Sequence, residues 1–162
     1  MRYNGYIKHK GECDMSDYQQ LYETSAVNTG GRDGVSYLAD GSYEVKISTP
    51  EAMGGSGEGQ NPEQLFALGY GACFHGALEL VKGQNKVKNA SQVLNTVRLY
   101  KKPDAADFKL EVEIQVGIQG LDREETQKLA DEAHTVCPYS KAVSGNIDVF
   151  VKAVDYDASQ EK

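Results

Sequence analysis

The 162-residue chain has no long hydrophobic run, no cluster of lysine or arginine, and only three cysteines. Each shortage excludes a class of function. A helix that crosses a bilayer needs ~20 predominantly apolar residues. The most apolar stretch, NPEQLFALGYGACFHGALELV at residues 61–81, is interrupted by His75, Glu79 and several glycines. With a net charge of −7 and no basic patch, neither nucleic acid nor an anionic membrane is expected as the main partner. The leading residues MRYNGYIKHKGECDMSDYQQ are polar throughout, without the apolar core of a secretory signal, so a cytoplasmic location is expected. Thiols stay reduced there, and an odd set of three points to redox, metal or catalytic roles rather than a disulfide framework. The glycine-rich segment TPEAMGGSGEGQ (49–60) lacks the G-x-x-x-x-G-K-[ST] pattern of a phosphate cradle and reads as a flexible connection.

What is present fits one soluble domain, with 40% hydrophobic and 25% charged residues. We divide the chain into a polar N-terminal extension (1–20), a single domain (21–156) and a polar tail (157–162). LYETSAVN, VSYLA and YEVKIS are short runs rich in β-branched and aromatic residues, joined by TGGRDG and by Asp40-Gly41. They predict an antiparallel meander that holds Arg32 in its first turn. ASQVLNTVRLYK (90–101) and residues 108–118 predict two longer strands. In the second, Leu110, Val112, Ile114, Val116 and Ile118 alternate with polar residues. Asp122 caps a second helix with Glu125 completing the box, and Pro138 is expected to end it. A last strand alternates through Ile147, Val149, Val151 and Ala153.

Everything else is arranged around the 61–81 helix. Asn61, Pro62 and Gln64 form a capped start. Leu65, Gly69, Ala72, Cys73, Gly76 and Leu80 fall on a stripe of mostly small residues; Phe66, Tyr70, Phe74, Ala77 and Val81 fall on a bulky one. Cys73 is in mid-helix, where the helix N-terminus cannot activate it and burial raises its pKa. A nucleophilic role therefore needs a nearby cation, for which Arg32 is the candidate, with Glu63 to orient the guanidinium. Without one, Cys73 is a small core hydrophobe. A zinc site from Cys73, His75, His134 and Cys137 has the wrong spacing, because positions 73 and 75 point ~200° apart on a helix.

TGGRDG (29–34), NPEQLFALGYGACFHGAL (61–78), GLDREE (120–125) and VCPYS followed by SGNIDV (136–149) together resemble the organic hydroperoxide resistance branch of the OsmC/Ohr family. The resemblance spans about residues 21–154 and leaves residues 1–14, with Cys13, outside it. It implies an α+β fold: an intertwined homodimer of antiparallel sheets packed on two long central helices. It also implies a thiol peroxidase without metal or cofactor that reduces alkyl and fatty-acid hydroperoxides and is recycled by a lipoyl-type dithiol. Cys73 matches the peroxidatic cysteine, Cys137 the resolving one, Arg32 the arginine that holds the thiolate, and Glu63 its carboxylate partner. Phe74, with Tyr70 nearby, is expected to shape a greasy pocket. Glu63 and Cys73 lie ten residues apart, ~15 Å along a straight helix. Arg32 and Glu63 of one subunit are therefore expected to meet Cys73 of the other. The alternatives are an osmotic-stress member of the superfamily with another peroxide preference, and a non-enzymatic thiol-containing binding protein.

Overall fold

A computed structural model describes residues 15–160. The extension's first fourteen residues, Cys13 among them, lie outside the described residues. Three short strands, β1 (Ala26–Thr29), β2 (Gly34–Leu38) and β3 (Glu44–Ile47), form the expected meander in chain order. β1 is shorter than the sequence pattern suggests. Its register pairs Ala26 with Leu38, and beyond Leu38 the chain turns away at Asp40-Gly41, leaving Leu21 and Tyr22 with no strand to join. The β1–β2 turn needs its glycines. Gly30 and Gly31 take φ of +79° and +61°, and a Cβ on Gly34 would lie 1.9 Å from the Thr29 carbonyl oxygen.

The 49–60 segment is not the flexible connection its glycines suggest. The Gly55 and Gly57 amides donate to the carbonyls of Pro50 and Thr49, and Glu51–Met53 forms a 3-10 turn. The Asp33 carboxylate accepts the Thr49 amide at 3.1 Å and its hydroxyl at 3.2 Å. That clamp fixes the turn carrying Arg32 against the start of the 49–60 segment, which leads into the first helix.

Helix α1 (Pro62–Gln84) starts with the expected capping box and runs unbroken for 23 residues. It continues about a turn past Val81 before the chain leaves at Asn85 and Lys86, the latter with φ +59°. The bulky stripe is the buried one: Tyr70, Phe74, Ala77 and Val81, joined by Leu78, pack with Val112, Ile114, Val116 and Ile118 of the second sheet. Lys82, almost fully buried, is the exception on this face. Its ammonium donates to Glu79 Oε1 at 2.6 Å and Ser91 Oγ at 2.9 Å, so the charge is compensated where it is buried. The small stripe divides. Gly69 and Cys73 are half-buried, whereas Ala72, Gly76 and Leu80, with neighbouring Leu68, face outward.

The second sheet places β5 (Phe108–Ile118) between β4 (Ser91–Lys101) and β6 (Asp148–Ala153). β4 and β5 are antiparallel as expected; β6 lies parallel to β5 because the chain crosses over through helices between them. Asp122 and Glu125 cap α2 (Arg123–Val136). Proline 138 ends that helix and also opens another: it fills the first position of α3 (Pro138–Val143), with Cys137 as the residue between the two helices. The sequence pattern gave the stop but not the restart. Among the described residues, no helix is long and apolar enough to cross a membrane.

The meander is tied to α1 by a two-pronged ion pair. Arg32 Nη1 donates to Glu63 Oε2 at 3.0 Å and Nη2 to Oε1 at 2.5 Å. The guanidinium's hydrogen bonds hold the Glu63 carboxyl below its usual range, against a smaller upward push from burial, and Glu63 in turn raises Arg32. A carboxylate depressed in the folded state stabilises the fold in full above the unfolded-chain value of ~4.3, and that contribution is lost as pH falls through the depressed value. Glu63→Gln should therefore lower the urea midpoint at neutral pH. Its deficit against wild type should close in acid below the ordinary glutamate range. A deficit that stays constant down to about pH 2 contradicts the assignment of this pair.

Candidate active site

Two thiols face each other across the contact between α1 and the α2–α3 corner. Cys73 Sγ and Cys137 Sγ are 3.6 Å apart, both free, with Cys73 half-buried and Cys137 fully buried. A disulfide requires ~2.05 Å, so the sulfurs need only close by about 1.5 Å. Cys73 reaches this point by its place one turn after Tyr70 on α1. Cys137 reaches it because Pro138 turns the chain there (φ −61°, ψ 123°) and redirects it into α3. Cys73 and His75 point to different sides of α1: the sulfur to Cys137, the His75 Nε2 to Ser91 Oγ at 3.0 Å. The His134 ring lies beside Phe74, their centroids 6.5 Å apart.

Aromatic side chains wall the thiol pair. Tyr70 and Tyr139 rings meet at 5.8 Å, Phe66 and Tyr70 at 5.7 Å, and Phe66 stacks on Tyr139 at 6.5 Å with planes 19° apart. These are favourable tilted and stacked geometries. Tyr70 is fully buried, and its hydroxyl lies 2.9 Å from Ser140 Oγ, a link from α1 to α3. Phe66 and Tyr139 stay partly exposed at the edge of this cluster, and the Tyr139 backbone N–H meets Cys73. Phe74, expected from sequence to shape a greasy pocket, is instead fully buried against the core. Ser140 and Tyr139 were not singled out in the sequence. The available signal was Pro138, which suits the first position of a helix as well as it suits a stop.

The electrostatics divide the four expected site residues into two pairs. Burial pushes the Cys73 thiol above its ordinary value; the Tyr139 backbone N–H opposes this, and neighbouring Cys137 adds to it. Among the described residues, no cation is one of the groups acting on Cys73. Arg32 and Glu63 hold one another at the N-terminal end of α1. With α1 unbroken from Pro62 to Gln84, Glu63 is ~15 Å along the axis from Cys73. The structure brings Cys73 to Cys137 and Arg32 to Glu63, but it does not bring the two pairs together within one chain.

Comparison with known proteins places this arrangement in a family. Residues 55–152 match the family model described as OsmC-like protein. An organic hydroperoxide resistance protein of Xanthomonas axonopodis pv. citri is 46% identical over 132 residues, covering 80% of this chain and 92% of that protein. Organic hydroperoxide resistance protein-like 2 of Staphylococcus epidermidis is 43% identical over 131 residues, with the same two coverages. The crystal structure of an organic hydroperoxide resistance protein from Legionella pneumophila superposes with a TM-score of 0.79 at 40% identity, covering 85% of this chain and all of that one. The similarity extends over most of the chain, and the family-model match over residues 55–152 spans the positions of Glu63, Cys73 and Cys137. The chain belongs to the OsmC-like family, and within it to the organic hydroperoxide resistance proteins.

Proposed function

We propose that this protein is a cysteine-based peroxidase that reduces organic hydroperoxides to alcohols in the cytoplasm. The observation that carries the reading is the 3.6 Å approach of a half-buried thiol to a buried one beneath an apolar wall. The Cys73 thiolate attacks the distal peroxide oxygen, the O–O bond breaks, and the alkoxide leaves as an alcohol after taking a proton. Cys73 is left as a sulfenic acid. Cys137 then displaces that oxygen as water and forms the Cys73–Cys137 disulfide. An external dithiol of the lipoyl type restores both thiols by exchange. No metal or organic cofactor takes part in this scheme. Phe66 and Tyr139 at the approach favour alkyl and fatty-acid hydroperoxides over hydrogen peroxide, whose water-like surface gains nothing from apolar contact.

The scheme needs a thiolate, and burial alone works against one. We infer that the missing cation is Arg32 of a second copy, oriented by that copy's Glu63, in an intertwined homodimer. Three features support this. Arg32 and Glu63 are paired at a distance their own Cys73 cannot bridge. Leu68 and Leu80 are 67% and 57% exposed on a face of α1 that also carries the small residues Ala72 and Gly76. The meander has only one buried apolar residue, Ile47, and so lacks a core of its own within one chain.

Replacing Cys73 with serine should abolish reduction of cumene hydroperoxide in a dihydrolipoamide-coupled assay. Cys137→Ser should leave the first oxidation intact and stall recycling. Full activity in Cys73→Ser removes the reading.

The shared site is tested by a heterodimer with Cys73→Ser in one chain and Arg32→Ala in the other. Reciprocal donation leaves one complete site, so about half of wild-type activity is expected. If each chain uses its own arginine, no site is complete and activity stays at the level of the Arg32→Ala homodimer or below.

A further inference from the structure

We propose that the buried hydrogen bond between Tyr70 and Ser140 is a latch that holds the resolving cysteine in line with Cys73, so that it governs disulfide closure rather than peroxide reduction. The proposal rests on the peroxidase reading for its biological meaning, but its geometry is independent of it. Tyr70 precedes Cys73 by three residues on α1, and Ser140 follows Cys137 by three on α3. The same two segments thus meet at the 2.9 Å hydroxyl pair and the 3.6 Å sulfur pair, as well as through the Tyr139 N–H on Cys73. Tyr70 is fully buried and Ser140 is 2% exposed, so neither hydroxyl has water as an easy substitute partner. α3 is a helix of only six residues behind a proline, too short to hold its own position by helical cooperativity. Its placement against α1 therefore depends on contacts with that helix, among which this bond between two buried side chains stands beside the Tyr139 N–H that meets Cys73.

Closure is a displacement at sulfur. Cys137 Sγ attacks Cys73 Sγ, the S–S bond forms, the S–O bond of the sulfenic acid breaks, and the departing hydroxyl leaves as water with the Cys137 proton. The attacking sulfur must lie opposite the bond that breaks, so a small swing of α3 costs rate while leaving the first oxidation of Cys73 untouched. Tyr70 and Ser140 act through Cys137 and are positioning residues. A slow closure leaves the sulfenic acid exposed to a second peroxide, which takes it irreversibly to sulfinic acid.

The test compares wild type, Ser140→Ala, Tyr70→Phe and the double variant by rapid-mixing kinetics and mass spectrometry. With cumene hydroperoxide, Ser140→Ala should oxidise Cys73 within about twofold of the wild-type rate. It should form the disulfide roughly 3–10-fold more slowly, the scale of one buried hydrogen bond, and accumulate more sulfinic acid. Tyr70→Phe should slow closure by a similar factor, and the double variant should be no slower than either single, because both remove the same bond. Wild-type closure rates in both singles, equal slowing of both steps in Ser140→Ala, or additive losses in the double variant would overturn the latch. The same variants, each carrying Cys13→Ser so that Cys73 and Cys137 are the only thiols, are also treated with 2,2′-dithiodipyridine. Cys73 releases one pyridinethione as a mixed disulfide forms, and Cys137 releases the second by closing the protein disulfide. If the wild type consumes no hydroperoxide yet the second release is selectively slowed in both single variants, the peroxidase reading fails while the latch stands. If hydroperoxide is consumed and the second release is unchanged in both, the latch fails alone.

Discussion

Ten residues of unbroken helix separate Glu63 from Cys73, and that spacing governs the rest of the design. An α-helix advances a fixed ~1.5 Å per residue, so a carboxylate in its first turn cannot share a partner with a thiol almost three turns later. The fold spends considerable structure on presenting Arg32 to Glu63: a double-glycine turn, an Asp33–Thr49 clamp and a capping box at the start of α1. None of it serves the Cys73 of the same chain. The proposed second copy answers both this spacing and the outward, small-residue face of α1 and thin meander that one chain leaves uncovered.

The thiol end follows a different logic. Burial of Cys137 and half-burial of Cys73 keep competing thiols and bulk water away from the pair, at the cost of raising the Cys73 pKa. A buried thiol is slow to ionise, and a well-placed cation reverses this because low-dielectric surroundings strengthen its attraction for the thiolate. The same burial that is unfavourable in an isolated chain becomes an advantage once a guanidinium is seated over the sulfur. Phe66 and Tyr139 stack on each other beside Tyr70, and Pro138 sets the geometry by stopping one helix and starting another in a single residue.

Much of this was legible in the sequence, and the parts that were not have physical reasons. The α1 start, its bulky buried stripe, the alternating β5 and the Asp122 cap all follow local periodicity and capping chemistry, and they appear where the pattern puts them. The parallel setting of β6 depends on which path the crossover takes, a tertiary choice that no local pattern encodes. The 49–60 loop looked slack because glycine leaves few side-chain signals; its order comes from backbone hydrogen bonds. The helical wheel puts Phe74 on the buried stripe, where it lies, but it does not say whether pocket or core covers it. The burial of Lys82 has no local signal, because its compensation comes partly from Ser91, on another element. The Arg32–Glu63 pair was reached through the cation that Cys73 needs and through family resemblance, not through spacing.

The most direct measurement is the pKa of Cys73 in the reduced, assembled protein carrying Cys13→Ser and Cys137→Ser, read from thiolate absorbance. The account predicts a value below the ~8.5 of a free thiol, rising above it when Arg32→Ala is added. A value at or above ~8.5 that does not respond to Arg32→Ala would contradict the claim that a guanidinium holds the thiolate.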